Sequence, residues 1–406
     1  MTDLSAEYRY PCENCGASLR YQPGQEHLVC DYCGHRQRIG EPSAGHGQDR
    51  SRIPKTGHAL QWDAAHKAPQ LTEIPLEKGL RLDAGSDVAE DIRTLSCPNC
   101  GARIQITGAS HASDCPFCAT PVVTDTGATR QIKPQGVLPF VLTEDQARMA
   151  MEDWLGNLWF APSGLVAYAR RGRHMTGIYS PFWTFDANTR SSYSGQRGDA
   201  YYQTVYVTQN VNGRQQRVAR QIRRIRWRPV SGHIARDFND VLVLAANSLP
   251  RNFSEGLAPW ELSHLAEYRP DYLAGFCAEG YTITLADGHQ TARQEMANVI
   301  VNDARRDIGG DEQRVNHVQT DYSGETFKHI LLPIWIAAYK YNGKSYRFLV
   351  NGQSGRVQGE RPWSVWKIAA AVIAALIALT VFLYFGESTG YIQLGGMEAA
   401  ETVAIG

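Results

Sequence analysis

The stretch Ile178-Tyr-Ser-Pro-Phe-Trp-Thr-Phe-Asp-Ala187 is rich in aromatic side chains and alternates in the manner of a half-buried β-strand. A similar sequence recurs at Pro333-Ile-Trp-Ile-Ala-Ala-Tyr. We therefore expect Trp183 and Trp335 to fill the core of one sheet from equivalent positions. Alternating stretches that also predict strands lie at 201–211, 216–227, 327–341 and 345–350. A β-rich core is therefore predicted for this part of the chain.

Two helices are predicted beside these strands. Thr143-Glu-Asp-Gln has the pattern of a capping box, which opens a helix. A second helix is predicted from about Gln290 to Ile308, and Gly309-Gly310 ends it. We therefore predict an α+β domain over residues 130–360, mostly antiparallel and β-rich, with a few helices.

The composition is that of a folded protein without a strong net charge. Of the 406 residues, 43% are hydrophobic and 10% aromatic, which is enough for a packed core in two or three globular units. Lysine and arginine together number 41, as do aspartate and glutamate. No global field draws the chain to nucleic acid or acidic lipid, so any such contact requires a local patch.

Eight of the nine cysteines occur as Cys-x-x-Cys pairs, which favours metal binding over disulfides. Each member of the second quartet lies 85 residues after its counterpart, so one module occurs twice. The first quartet is Cys12, Cys15, Cys30 and Cys33, and the second is Cys97, Cys100, Cys115 and Cys118. Four thiolates per quartet suit tetrahedral zinc, and we predict two structural zinc ions.

Other chemistries of such quartets fit less well. Four thiolates leave no position for a catalytic water, and a rubredoxin-like iron centre would lack a flavin or nicotinamide partner here. Dithiol redox motifs stand alone ahead of a helix, whereas these pairs come in fours. Glycine follows the second cysteine of three pairs, at Gly16, Gly34 and Gly101, and allows a tight turn with amides aimed at sulfur.

The short segments between the cysteine pairs predict paired strands, so each module is interpreted as a small zinc ribbon. The first ribbon is placed at residues 8–40 and the second at 93–124. Residues 41–90 are rich in Gly, Pro, Ser, His and Ala with little apolar periodicity. This composition predicts a mostly flexible linker between the ribbons.

A transmembrane helix is predicted at residues 363–386. From Ile368 to Phe385 the chain has eighteen residues without a charge, which as a helix span roughly 27 Å. Basic residues precede the span, and the short acidic tail at 387–406 has no lysine or arginine. The positive-inside rule therefore predicts a single-pass protein of the cell inner membrane with a cytoplasmic N-terminus. A buried helix of a soluble core is the alternative. The first residues lack the basic and apolar segments of a secretory signal, in keeping with a cytosolic main part.

An arginine-rich run occupies residues 214–228. It is interpreted either as a solvated face of a hairpin or as a contact for anionic lipid or nucleic-acid phosphates. The candidate contact residues are Arg217, Arg220, Arg223, Arg224, Arg226 and Arg228.

We find no catalytic motif in the sequence. Lys344 follows Asn342-Gly343, which is typical of a hairpin turn rather than a phosphate-binding loop, because a strand and not a helix follows. Cys277 is interpreted as a small buried side chain rather than a nucleophile. We therefore do not expect an enzyme.

Several of these features together resemble a bacterial family of membrane-anchored zinc-ribbon proteins. They are Cys97-Pro-Asn-Cys-Gly, Tyr179-Ser-Pro-Phe-Trp, Leu332-Pro-Ile-Trp-Ile, Asn351-Gly-Gln-Ser-Gly and the terminal apolar span. The resemblance covers most of residues 93–385. Members are often labelled transcription-factor-type zinc ribbon proteins or primosomal protein N′ (replication factor Y) superfamily II helicases, although this chain lacks the nucleotide-binding and Asp-Glu boxes of a helicase. The additional N-terminal ribbon departs from the pattern.

The resemblance also implies partners. Some similar proteins are encoded beside phage-shock and flotillin-like scaffold proteins and recruit them to the membrane. We accordingly predict a non-enzymatic adaptor that docks partner proteins at the cytoplasmic face of the membrane, with no small-molecule substrate. The alternative is a membrane-tethered, nucleic-acid-binding zinc-ribbon protein.

Overall fold

The long predicted strands form the centre of a large sheet in the computed structural model. Two compact units are present, Met1–Ala150 with His174–Gly359 and Met151–Arg173 with Glu360–Gly406. The structure describes residues 10, 12–39, 71–83, 89–97, 102–105, 112–115, 117, 121–123, 127–158, 175–211, 214–341, 344–360 and 364–388.

Strands account for most of the regular structure. The first ten are short: β1 Leu19–Tyr21, β2 His27–Cys30, β3 Arg36–Arg38, β4 Ile74–Pro75, β5 Ala89–Ser96, β6 Arg103–Gln105, β7 Ala112–Asp114, β8 Pro121–Val123, β9 Gly127–Ile132 and β10 Gly136–Val137. The remaining seven include three long strands: β11 Thr176–Val211, β12 Arg214–Leu244, β13 Ala266–Glu267, β14 Cys277–Glu279, β15 Glu312–Tyr341, β16 Lys344–Asn351 and β17 Val357–Gly359.

Among the described residues, helices are fewer than strands. Short 3₁₀ turns occur at Leu262–His264 and Pro270–Leu273. The α-helices are α1 Leu76–Asp83, α2 Glu144–Gly156, α3 Arg251–Gly256, α4 Leu285–Ile308 and α5 Val365–Ser388. A mostly antiparallel, β-rich domain with few helices is thereby confirmed.

Strand β11 is the centre of the main sheet. It pairs antiparallel with β12 on one side and with β15 on the other, while the short strands β10 and β14 add two parallel pairings. Trp183 and Trp335 are both buried, as predicted. The predicted strands are confirmed, but residues 188–200 continue β11 although their sequence is polar. Their buried hydroxyls are satisfied inside the sheet, since Thr189 Oγ1 donates to the Arg236 carbonyl at 2.8 Å.

Helix α4 covers one face of this sheet. It begins at Leu285, five residues before the predicted start, because the Thr284 side chain accepts a hydrogen bond from the Asp287 amide and caps it. Its buried residues recur every three or four positions, and a Cβ on Gly288 would lie only 2.6 Å from the Trp183 ring. The helix ends at Gly309, whose positive φ is the predicted stop signal.

The capping box at the start of α2 is also confirmed. The Thr143 amide donates to Gln146 Oε1 at 2.9 Å, and the Gln146 amide returns a bond to Thr143 Oγ1 at 3.4 Å.

Part of the range predicted as a linker belongs to the domain. Residues 74–83 of the 41–90 segment form β4 and α1, and β4 pairs with β15 through Ile74 and Phe327. A contact between residues distant in sequence also holds this segment to the domain, because the Glu73 carboxylate lies 3.2 Å from the buried ammonium of Lys328. Residues 41–70 and 84–88 lie outside the described part of the chain.

The second unit contains the predicted span. Helix α5 has an 18-residue window, Trp366–Leu383, with a mean hydropathy of 2.3 and none of it buried in the protein. Among the described residues it is the one helix long and apolar enough to cross a membrane. The tail at 387–406 lies almost wholly outside the described residues.

The core histidine beside Trp183 gives a pH-dependent prediction. Burial lowers the pKa of His329 to about 4. An unfolded histidine has a pKa of about 6.5, so below that pH the unfolded state takes up a proton that the folded state does not. We expect His329 to lower the free energy of unfolding progressively from about pH 6.5 to about pH 4, by about 3 kcal/mol in total.

Urea unfolding of wild type and His329→Asn at about pH 7 and about pH 4.5 tests this expectation. Asparagine keeps an amide donor near the position of Nδ1, which contacts the Ile132 carbonyl at 2.8 Å. The variant should lose less stability on acidification than wild type. An identical loss in both proteins would show that His329 does not cause it.

Candidate functional site

The first cysteine quartet comes together at one end of a three-stranded sheet formed by β1, β2 and β3. The four Sγ atoms all lie within 4.8 Å of one another. The distance is 3.4 Å from Cys12 to Cys33 and 3.5 Å from Cys15 to Cys30. Tetrahedral zinc with Zn–S bonds of about 2.3 Å requires sulfurs about 3.8 Å apart, so the donor set fits a metal ion.

Two matched turns build this arrangement. The Gly16 amide donates to the Cys12 carbonyl at 2.8 Å, and the Gly34 amide donates to the Cys30 carbonyl at 2.9 Å. Both glycines have positive φ, of 76° and 71°, as the predicted tight turns require. Cys12 and Cys30 are buried, whereas Cys15 and Cys33 face solvent.

The cysteine side chains of the quartet would bind a cation favourably in their thiolate form. The backbone amide of His35 is the main cause that lowers the pKa of Cys33, to about 6. At Cys15 the amide of Ala17 also lowers the pKa, but partial loss of hydration and hydrogen bonds with the neighbouring thiols outweigh it and raise the value to about 12. Four thiolates this close repel one another, and a bound metal ion removes that penalty.

The first cysteine module, residues 12–39, packs on the main domain. The Tyr21 amide donates to the Ala274 carbonyl at 2.9 Å, and its hydroxyl donates to the Phe140 carbonyl at 3.3 Å. The Tyr21 ring is buried against Tyr272 and Phe276. This docking lies beyond sequence reasoning, because the partner residues are more than a hundred positions away.

The second quartet is described in part. Cys97 and Cys115 are buried in the same apolar cluster, while Cys100 and Cys118 lie outside the described residues. The Cys97 amide donates to the Ala102 carbonyl at 2.9 Å, which repeats the bond from Cys12 to Ala17 exactly 85 residues earlier. Strand β6 joins β5 and β14, so this module is built into the edge of the main sheet.

The candidate arginines lie on the longest hairpin of the fold. All six are exposed on β12, and β12 pairs with β11 as far as Val211 and Arg214. Arg223 contacts Glu312 at 3.2 Å, and Arg228 contacts Asp199. Within the described residues, the remaining four have no carboxylate partner: Arg217, Arg220, Arg224 and Arg226.

A buried charge cluster is a feature that the sequence did not reveal. Lys328 Nζ lies 3.2 Å from Asp186, 3.2 Å from Glu73 and 2.9 Å from Asp240. Asp186 sits at a register irregularity of β11, and Asp240 has a positive φ of 54°. The ammonium group is surrounded by these three carboxylates, so it offers no free nucleophile.

One apolar cavity of about 470 Å³ lies beside Phe182 and Trp260. Its charged lining groups pair with one another, since Arg251 contacts Glu255 at 2.6 Å and Glu295 at 2.5 Å. Cys277 is half-buried, and burial raises the pKa of its thiol, which disfavours the reactive thiolate.

Comparison with known proteins gives one distant relative. The chain is 25% identical over 244 residues to an uncharacterized protein, YdjG, of Bacillus subtilis (strain 168), which covers 59% of this chain and 67% of that protein. No family profile matches the chain. No solved structure matches it either.

Proposed function

We propose that this protein is a non-enzymatic adaptor, anchored in the cell inner membrane by α5, that docks partner proteins at the cytoplasmic face through two zinc-ribbon modules. The observation that carries the proposal is the first quartet: four cysteine sulfurs in tetrahedral range on a sheet fixed to the main domain. A closed four-sulfur site serves structure rather than catalysis.

The position of the first module supports an adaptor. Cys15, Cys33 and Tyr32 are exposed, and Tyr32 has 86% of its surface accessible. Tyr21 of the same module is hydrogen-bonded to Ala274 and Phe140 of the main domain. A metal-stabilised surface fixed in this way can dock a protein without paying for the ordering of a mobile arm. The resemblance given above favours scaffold proteins of the phage-shock or flotillin-like type as partners.

Affinity capture of the full-length protein from native membranes tests this role. Alanine at both Cys15 and Cys33 removes two exposed ligands, and Cys277→Ala is the matched control outside both quartets. We expect wild type and the control to retain the same protein partners at similar yield. The double variant should lose at least 90% of the captured protein, since loss of about 1.4 kcal/mol of binding free energy lowers the affinity tenfold.

Two results would contradict the adaptor. Unchanged capture by the double variant would show that the quartet does not contribute to the docking surface. Recovery of nucleic acid with a steep dependence on salt, in place of proteins, would support the nucleic-acid-binding alternative, for which the exposed arginines of β12 are the supporting observation.

A further inference from the structure

The hairpin of β11 and β12 extends far beyond the sheet. The pairing of β11 with β15 ends at Gly198 and Glu312, whereas its pairing with β12 continues to Val211 and Arg214. Residues 199–211 and 214–226, here called the distal arm, therefore pair only with each other among the described residues. Thirteen residues per strand at about 3.3 Å each give an arm about 40 Å long.

The register assigns the side chains of the arm to two faces. Directly paired residues share a face, and the faces alternate along each strand. On one face the pair Val207 and Val218 lies toward the tip, followed by Val205 opposite Arg220 and then by Ile222 opposite Gln203. Val218 is exposed and the other three are half-buried.

Cationic and aromatic side chains follow on the same face toward the base. Arg224 pairs with Tyr201, and the next pair places Arg226 beside Asp199. The Arg226 guanidinium lies 5.2 Å from the centre of the Tyr201 ring. Aliphatic side chains are thus concentrated on the outer part of this face, with Arg220 among them, whereas arginine and tyrosine dominate the part nearer the base.

The opposite face of the arm adds further tyrosines and arginines. Tyr202 and Tyr206 have 67% and 61% of their surface accessible, and Arg217 lies 5.7 Å from the centre of the Tyr206 ring. Residues 199–228 contain seven arginines and a single acidic residue, Asp199, which already pairs with Arg228. The arm is therefore a strongly cationic projection from a chain whose total charge balances.

We propose that the distal arm binds a bilayer surface that contains anionic phospholipid. The side chains of the arm suit a membrane interface: the aliphatic residues fit the acyl boundary, while tyrosine and arginine fit the headgroups, which the long Arg220 side chain can also reach. Nucleic-acid phosphates would bind the arginines alone and would leave Val205, Val207, Val218 and Ile222 without a role. The candidate span in α5 belongs to the same chain, which raises the effective concentration of such a surface near the arm.

Hydrogen exchange on the full-length protein in lipid nanodiscs tests the proposal. Discs of phosphatidylcholine alone are compared with discs that also contain phosphatidylglycerol. We expect the outward-pointing amides of residues 201–208 and 217–226 to exchange at least fivefold more slowly with phosphatidylglycerol. One arginine near an anionic surface raises the affinity for that surface by about this factor. High salt should abolish the protection.

Two charge-reversal variants distinguish the arm from a general charge effect. Arg224→Glu with Arg226→Glu should remove the protection, whereas Lys78→Glu with Arg81→Glu, which reverses two exposed cations of α1, should retain it. Val218→Asp should weaken it without changing the arginines.

Equal exchange in the two kinds of disc would overturn the proposal, and so would protection that survives the arm reversal. Protection by a DNA or RNA oligonucleotide, with none from phosphatidylglycerol, would assign the arm to nucleic acid instead. A chain that fails to enter discs would contradict the span in α5, an outcome visible on purification and separate from the behaviour of the arm.

Discussion

Cys12→Ala is expected to unfold residues 12–39 and to leave the central sheet folded. Strands β1, β2 and β3 have only three or four residues each, and a unit of fewer than about 40 residues rarely buries enough apolar surface to fold alone. Structural zinc contributes on the order of 10 kcal/mol to such modules. Cys12 is a buried member of the quartet, so its loss should remove both the proposed metal site and a packed side chain.

Hydrogen exchange followed by mass spectrometry measures this result. Amides of β1 and β2 should exchange at rates near those of an unfolded chain in Cys12→Ala, while residues 182–198 of β11 keep their protection. Cys277→Ala is the control, because it removes a half-buried cysteine from the main domain without touching a quartet. Native protection of β1 and β2 in Cys12→Ala would mean that the docking through Tyr21 suffices without metal.

Lys328→Met should destabilise the central sheet strongly, by an amount comparable with truncation of a large core side chain. The substitution leaves the buried carboxylate of Asp186 without its cation and close to Asp240 and Glu73. Burial lowers the pKa of Lys328, but the contacts with Asp240, Asp186 and Glu73 outweigh it and hold the pKa above the usual value. Removing one partner of a buried ion pair costs about 3–5 kcal/mol.

Urea unfolding, followed by the fluorescence of the buried tryptophans, measures this cost. Lys78→Met on α1 is the matched control, since Lys78 is exposed and the same groups are exchanged. Asp186→Asn added to Lys328→Met should restore part of the stability, because one unpaired carboxylate is then removed. If Lys328→Met unfolded at the same urea concentration as Lys78→Met, the cluster would not stabilise the fold.

Features encoded by neighbouring residues were predicted from the sequence. The Thr143 capping box, the stop at Gly309 and the tight turns at Gly16 and Gly34 each depend on a few consecutive positions. The first quartet is similar, because two short turns bring its sulfurs together and 14 residues separate them. Local geometry suffices in these cases.

Features that depend on distant partners were not predicted. Residues 188–198 appear polar, yet they form the middle of β11 because the neighbouring strands β12 and β15 pair with them on both sides. Glu73 orders part of a supposed linker through Lys328, which is 255 positions away. The docking of Tyr21 on Phe140 and Ala274 has the same character. No window of sequence contains both partners of these contacts.

The metal content of full-length protein purified from native membranes without chelators tests the central claim most directly. The account predicts zinc at about two ions per chain in the membrane fraction, since each quartet fills one tetrahedral site. It also predicts about one ion per chain for Cys12→Ala, in which only the second quartet is complete. Protein that carries no bound metal, or that remains in the water-soluble fraction, would contradict it.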